Sequence, residues 1–393
     1  METSLNSDTR QFMIMNFTAS KSSSLEKLDY FLSKNITKYE NGRNFDFGPQ
    51  NQRIVSCLSP YITHRVLSEY DIIKKVISMN TSKNSEKFVQ EIFWRIYWRG
   101  WLETHSEVWT DFVKETVSLD CEENYNRAVN GETKIDFFNS WVKELKNENY
   151  LHNHTRMWFA SIWIFTLKLP WQLGAAFFLK HLLDGDSASN TLSWRWVAGL
   201  HTKGKNYLAK KWNIEKFSNI AVKNIRLNET AKPLFNNKTY PFKLPECITN
   251  AYNKNKILLI FDNELNNSNP KINFSDYKQI FLLILDNSKR QIELDCKVLQ
   301  FKRSLQLDFQ ERLKNSKIIN HPFLENICKS TDEIDVLYPF IGENYDYLNK
   351  LKKSFGTNFN IIYNEQDLYC WKFANKGYFN FKKNSDTILN QIG

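Results

Sequence analysis

No C-x-x-C pair occurs in this 393-residue chain, and its six cysteines lie far apart, at 57, 121, 247, 296, 328 and 370. Zinc-ribbon and iron–sulfur readings therefore lack their usual ligand spacing, and no metal is expected. Scattered thiols fit a reducing compartment, so a cytoplasmic protein is expected. The N-terminal "METSLNSDTRQFMIMNF" lacks a basic region followed by a long apolar core, which argues against a secretory signal. No apolar run reaches about 18 residues, the length a membrane span requires. There is no internal repeat and no Gly-rich phosphate loop. Glycine and proline are sparse between about Ser22 and Ile225, which favours long helices over turns.

Aromatic and basic residues are what the chain has in excess. Aromatics make up 15 %, with 12 Trp, and the net charge is +10. Core packing accounts for many of the rings. The charge favours an anionic partner such as nucleic acid, although a compositionally biased, Lys-rich genome would give the same balance. With 42 % hydrophobic and 24 % charged residues the chain reads as globular, and its length suits two or three domains.

Apolar residues recur at spacings of three and four in "SSSLEKLDYFLSKN", "SEYDIIKKVISM", "SEKFVQEIFWRIYWRGWLE", "IDFFNSWVKELK" and "TRMWFASIWIFTLK", which predicts a helical domain over 22–228. Residues 1–21 form a leading segment expected to be flexible. The polar stretch "NETAKPLFNNKTYPFKLPE" reads as part of a linker, 229–252. Beyond it, "KILLIFD", "IFLLILD", "IDVLYPFIG" and "NFNIIYNE" are short apolar runs alternating with helical segments. That alternation predicts a Rossmann-like parallel α/β domain over 253–393.

Three helical segments each place charged or amide groups beside Trp on one face. They are Glu91, Trp94 and Arg95; Asn153, Arg156 and Met157; and Asp186, Asn190 and Trp194, with Asp184 half a turn back. Each alone reads as a surface ion pair or an acidic helix cap beside a packed indole. Together they describe a helical domain enclosing a large polar ligand, because burying so many unpaired polar groups is costly. His152 and His154, two apart, do not share a helical face and make a poor metal pair.

These residues resemble the photolyase/cryptochrome flavoprotein family. "QEIFWRIYW" is similar to the family's E-L-x-W-R-E-F-Y, "LHNHTRM" to H-N-R-x-R-M, and "LLDGDSASNTLSWRW" to L-I-D-G-D-x-A-x-N-x-G-x-W-x-W. "SCLSPYITHRVLS" and "YENGRN" follow two further family segments. The resemblance covers about Ser22–Ile225 and implies an all-helical domain holding a U-shaped FAD, reduced in the active form. It assigns Tyr39, Ser56 and Ser59 to the phosphates and Glu91, Arg95 and Asn153 to the flavin pocket. Arg156 and Asp184 become a charged pair beside the ring, Asp186 the acceptor for the ring imide N–H, and Asn190 the residue facing N5. Trp194 and Trp171 match the first two members of an electron-hopping chain. The third place, near Ser118, holds no Trp; Trp109 or Trp141 are substitutes, while Trp158 and Trp163 read as core indoles.

The resemblance further implies light-driven splitting of cyclobutane pyrimidine dimers in UV-damaged DNA. Trp94 and Trp196 would wall the lesion cavity, Glu91 would bond the dimer carbonyl, and Asn153 and Met157 would complete it. The alternatives are a cryptochrome-like photoreceptor without repair and a degenerate flavin-binding structural domain. Residues 201–228 hold seven Lys or Arg against one acid, so Lys203, Lys205, Lys210 and Lys211, with Arg43, are expected to meet DNA. Cys57, Arg65 and His154 depart from the family's usual Arg, Gly and basic residue. The family's α/β antenna domain ordinarily comes first; here the trailing α/β segment is either that antenna domain relocated, with room for a second chromophore, or an unrelated α/β module. A monomer is expected.

Overall fold

The computed structural model describes residues 17–51, 54–79, 82–120, 122–245, 257–267 and 272–392. The leading segment up to residue 16 and the end of the expected linker, 246–252, lie outside them. The principal helices of the first domain are α1 (Lys21–Lys34), α2 (Glu69–Ser78), α3 (Ser82–Thr104), α4 (Glu107–Ser118), α5 (Asp136–Glu148), α6 (Asn153–Ser161), α7 (Trp171–His181) and α8 (Ser187–Ala198). The 23-residue α3 runs through the middle and meets α2, α8 and the C-terminal helices. Its face carries Phe88, Ile92, Ile96 and Tyr97, all buried.

Local signals set the ends that matter for the site. The Asp186 carboxylate caps α8, accepting from the Ala188 and Ser189 amides at 2.9 and 2.8 Å. Gly199, at φ +85°, ends α8 in the left-handed region that glycine enters without strain. Gly174 in α7 permits close approach: a Cβ there would fall 2.4 Å from the Trp194 ring. A single π-turn, 162–166, follows α6 and redirects the chain toward α7.

The α/β domain holds β1 (Ile257–Phe261), β2 (Gln279–Leu283), α9 (Cys296–Glu311), β3 (Ser316–Ile319), β4 (Glu333–Leu337), α10 (Glu343–Phe355) and β5 (Asn358–Ile362), then α11 (Glu365–Trp371) and α12 (Tyr378–Lys382). All five strands are parallel, in the order β3-β2-β1-β4-β5. Four of the five residues of β1, of β2 and of β4 are buried, which is why they read as unbroken apolar runs.

Two features of the organisation go beyond what the sequence expressed. The described part of the linker, 229–245, is a strap laid on the helical domain. Leu234 N–H donates to Ala198 O (2.9 Å), Lys243 N–H to Thr104 O (2.9 Å), and Lys238 pairs with Asp111 (2.9 Å) and Glu115 (3.1 Å). Asn and Pro spacing signals an irregular segment but not whether it docks. The two domains also share one apolar core, with Leu28, Tyr61, Phe301 and Leu305 in a single cluster.

A buried ionic network locks that interface. Arg65 is 1 % exposed and lies 3.6 Å from Glu69, 3.5 Å from Glu264 and 2.6 Å from Asp367. Glu69 also pairs with Arg95 (3.2 Å) and Arg99 (3.5 Å). Glu103 accepts from the Tyr338 hydroxyl (2.5 Å) and the Ile341 amide (2.9 Å), and burial pushes its carboxyl up to about 7.

Candidate functional site

A cavity of about 450 Å³ opens in the helical domain, within the roughly 300–1,000 Å³ usual for small-molecule sites. Its walls come from α3, α6, α7, α8 and the 55–62 turn. Tyr39, Ser56 and Ser59 lie on one side, Glu91, Trp94 and Arg95 on another, and Asn153, Arg156 and Met157 on a third; Asp184, Asn190, Trp194 and Trp196 close it. Helical spacing had put these residues on three separate faces, and the fold turns the faces toward one space. The turn at Cys57 takes φ +50°, an uncommon conformation for a non-glycine residue.

Arg156 is a fixed charge in the wall. Its Nε donates to Leu151 O at 2.8 Å, its Nη2 meets the Asp184 carboxylate at 3.0 Å, and its guanidinium lies 5.1 Å over the Tyr150 ring. Burial opposes its charge, but Asp184 outweighs that and holds its pKa above the ordinary arginine range. The other carboxylate oxygen, Asp184 Oδ1, is buried without a protein partner, as is Trp194 Nε1. Both belong to residues of the cavity wall. The Asn190 amide donates to Ala175 O (2.9 Å), which leaves its carbonyl oxygen free to turn to a ligand. A cavity with an unsatisfied acceptor, an unsatisfied donor and a fixed cation suits a large polar, partly aromatic group; a flavin dinucleotide fits that description.

The rim carries the remaining candidates. Glu91 lies 3.5 Å from Arg43 and 3.3 Å from Lys87. Trp196 stacks on Tyr207 (5.7 Å, 26°), whose hydroxyl approaches His154. Lys203, Lys205, Lys210 and Lys211 are exposed, and Lys211 sits 3.9 Å from Glu215. Trp94, on the opposite wall, stacks face to face on Tyr378 at 3.5 Å and 9°. Sequence reasoning missed Tyr378, as well as the wall residues Tyr150 and Trp98. Tyr150 adjoins the "LHNHTRM" segment, a signal that could have found it; Tyr378 lies far along the chain in the Gly-aromatic run "KGYFNF", which nothing in the sequence ties to this cavity.

Two of the expected residues stand outside the wall of the large cavity. Asp186 does not line the large cavity. Its carboxylate caps α8 and pairs with Arg95 at 2.9 Å, so its oxygens are already engaged. Burial raises its pKa, but Arg95 and then Arg99 outweigh that and hold it below the ordinary range. Trp171, expected as the second member of the electron-hopping chain, stands outside the cavity lining. It stacks on Phe112 (5.5 Å), whereas the indole in ring contact with Trp194 is Trp163, at 6.2 Å, with Tyr125 5.9 Å beyond it. The one-turn offset between Trp171 and Gly174, where Trp194 crosses α7, accounts for this.

A second cavity, of about 90 Å³, lies at the carboxyl ends of β1 and β4, where the strand order reverses and α/β sheets commonly bind ligands. Here His64, Asp186, Asp262, Arg290, Lys302 and Asn344 crowd it, and Lys302 pairs with Asp262 at 2.5 Å. Its volume falls well short of the roughly 300 Å³ at which ligand pockets begin.

Among the described residues no group of three or more His, Cys, Asp or Glu is arranged to hold a metal ion, and no helix is long and apolar enough to cross a membrane.

Residues 88–223 match the FAD-binding domain of DNA photolyase. The chain is 30 % identical over 190 residues to a deoxyribodipyrimidine photo-lyase of Agrobacterium fabrum, covering 47 % of this chain and 39 % of that enzyme. It is 25 % identical over 197 residues to a cryptochrome DASH of Idiomarina loihiensis, covering 48 % and 42 %. Among solved structures, a bacterial class III photolyase from Agrobacterium tumefaciens aligns with a TM-score of 0.44 at 28 % identity, over 50 % of this chain and 42 % of that one. The chain thus spans about two fifths of the length of these relatives.

Proposed function

We propose, from a chain whose residues 88–223 match the FAD-binding domain of DNA photolyase, that the protein repairs cyclobutane pyrimidine dimers in UV-damaged DNA by light-driven electron transfer. The observation that carries this reading is the convergence of Glu91, Trp94, Asn153, Met157 and Trp196 on one cavity with the fixed Arg156–Asp184 pair. A reduced flavin bound there would supply, under blue light, the electron that opens the cyclobutane ring, and would take it back once the two pyrimidines separate.

The chain's own residues do the rest. Arg156 and the free Asp184 oxygen hold the polar edge of the ring system in one orientation, and the Asn190 carbonyl sits beside it. Tyr39, Ser56 and Ser59 offer hydroxyls to the phosphate end. A dimer must leave the base stack to enter, and the indoles of Trp94 and Trp196 replace the stacking it loses. Glu91 at the rim binds the dimer carbonyl and steadies charge that develops on it. Exposed Lys203, Lys205, Lys210 and Lys211, with Arg43, bear on the phosphates.

Glu91→Gln is expected to keep its flavin and to lose about 100-fold in repair rate, the usual loss when one positioned polar group is removed. The measurement is blue-light restoration of thymines in a dimer-bearing oligonucleotide by purified, reduced protein. Wild-type protein that holds flavin and restores no thymines would replace this reading with a photoreceptor that binds flavin without repair.

Ring contacts make Trp163 the partner of Trp194 in the route by which electrons reach the pocket, with Tyr125 as the outer member. Trp163→Phe should then slow photoreduction of the oxidised flavoprotein, while Trp171→Phe leaves it at the wild-type rate. The reverse ranking would restore Trp171 to the route.

A further inference from the structure

The segment 372–383, "KFANKGYFNFKK", carries Lys372, Lys376, Lys382 and Lys383 and no acid, and it lies outside the matched FAD-binding region. Tertiary structure seats it on the site. Tyr378 is 3 % exposed, stacks on Trp94 and donates its hydroxyl to Gln90 O at 3.0 Å. The Tyr97 hydroxyl donates to Lys376 O at 3.0 Å and lies 3.0 Å from His201 Nε2. One α3 residue therefore ties this segment to 201–205, which carries the exposed Lys203 and Lys205. Two basic stretches, some 170 residues apart in sequence, become neighbours beside the Trp94 wall.

Within this patch Phe379 is 76 % exposed. Its ring lies 6.0 Å from that of Tyr378, so it stands two ring contacts from the cavity wall. Lys372, Lys376 and Lys383 around it are exposed. An isolated exposed phenylalanine on a protein surface is ordinary. One that adjoins the wall of a lesion cavity, inside a field of lysines, matches the apolar wedges by which proteins unstack duplex DNA.

We infer that residues 372–383 are a DNA-docking element: the lysines hold phosphates flanking the lesion, and Phe379 fills the gap left in the duplex when the dimer turns into the cavity. This rests on the repair reading above and extends it to a part of the chain that the FAD-binding family does not cover.

The test uses flavin-loaded full-length protein and one dimer-bearing strand, presented alone and in a duplex. Phe379→Ala should weaken duplex binding about 5- to 10-fold and leave single-strand binding within about twofold, because a single strand has no stack to open. Lys376→Gln with Lys383→Gln should lower the slope of log affinity against log salt by about 1 to 2. Flavin content and melting temperature should not change in either variant, since these side chains are solvent-facing. Equal loss on both substrates, no loss on either, or an unchanged salt slope overturns the inference while wild-type repair stands. Wild-type protein that does not prefer dimer-bearing DNA brings down the repair reading and this inference together.

Discussion

Arg156→Leu should yield protein that purifies without flavin. The substitution keeps the helix and much of the volume but removes the cation that faces Asp184, whose side chain is 3 % exposed. Removing one partner of a buried ion pair costs about 3–5 kcal/mol, because the remaining charge stays desolvated and unpaired. Water drawn into the cavity to solvate Asp184 would end its role as a fixed acceptor. The Tyr150 ring loses the guanidinium stacked over it as well. Arg156→Lys keeps the charge but not the fork that bonds Leu151 O and Asp184 at once, so partial flavin retention is expected there. The readout is flavin absorbance per protein, with far-ultraviolet circular dichroism to show that the helices persist. Full flavin occupancy in Arg156→Leu would refute the assignment of the cavity's polar end.

Arg65→Met should separate the two domains energetically. Arg65 adopts φ +53° at 1 % exposure and neutralises Glu69, Glu264 and Asp367 together. A stability loss of about 3–5 kcal/mol at neutral pH is expected from stranding these carboxylates. The pH dependence carries a definite sign. Burial, ahead of every other influence, already raises the Glu264 carboxyl to about 7 with Arg65 present. A carboxyl raised in the folded state binds more protons there than in the unfolded chain, so stability rises as pH falls from about 7 toward its unfolded value of about 4.5. Loss of Arg65 removes the main influence that opposes burial and raises Glu264 further, so the variant gains more than the wild type on acidification and its deficit should shrink in urea unfolding near pH 5. A deficit that is flat across this range would mean that the carboxylates find other partners. Because Glu69 also holds Arg95, a cavity residue, the variant should bind flavin more weakly as well.

Most of the secondary structure was legible from local patterns. The helices of the first domain follow their apolar spacing, and "KILLIFD" and "IFLLILD" mark β1 and β2 because parallel strands are buried on both faces. The third strand, "SKII", is short and half-polar, and it sits at the sheet edge, where burial leaves no clear trace in sequence. Cavity-lining residues such as Glu91, Asn153 and Arg156 were legible as polar groups interleaved with Trp at helical spacing. Asp186 and Trp171 show where that signal ends. Spacing says which residues share a helix face, but not whether a neighbouring helix has already taken the hydrogen bonds or the ring contact.

The sequence by itself determined a helical domain with charged and amide groups beside indoles, a parallel α/β domain after it, and an excess of positive charge. Short-range physics suffices for these, since periodicity and composition act within a few turns of chain. Only the tertiary structure decided that the three polar faces close on one cavity, that Arg65 clamps the domains together, and that Tyr378 backs Trp94 from the far end of the chain. Those facts depend on contacts between residues widely separated in sequence, and side-chain burial, not local propensity, selects among them.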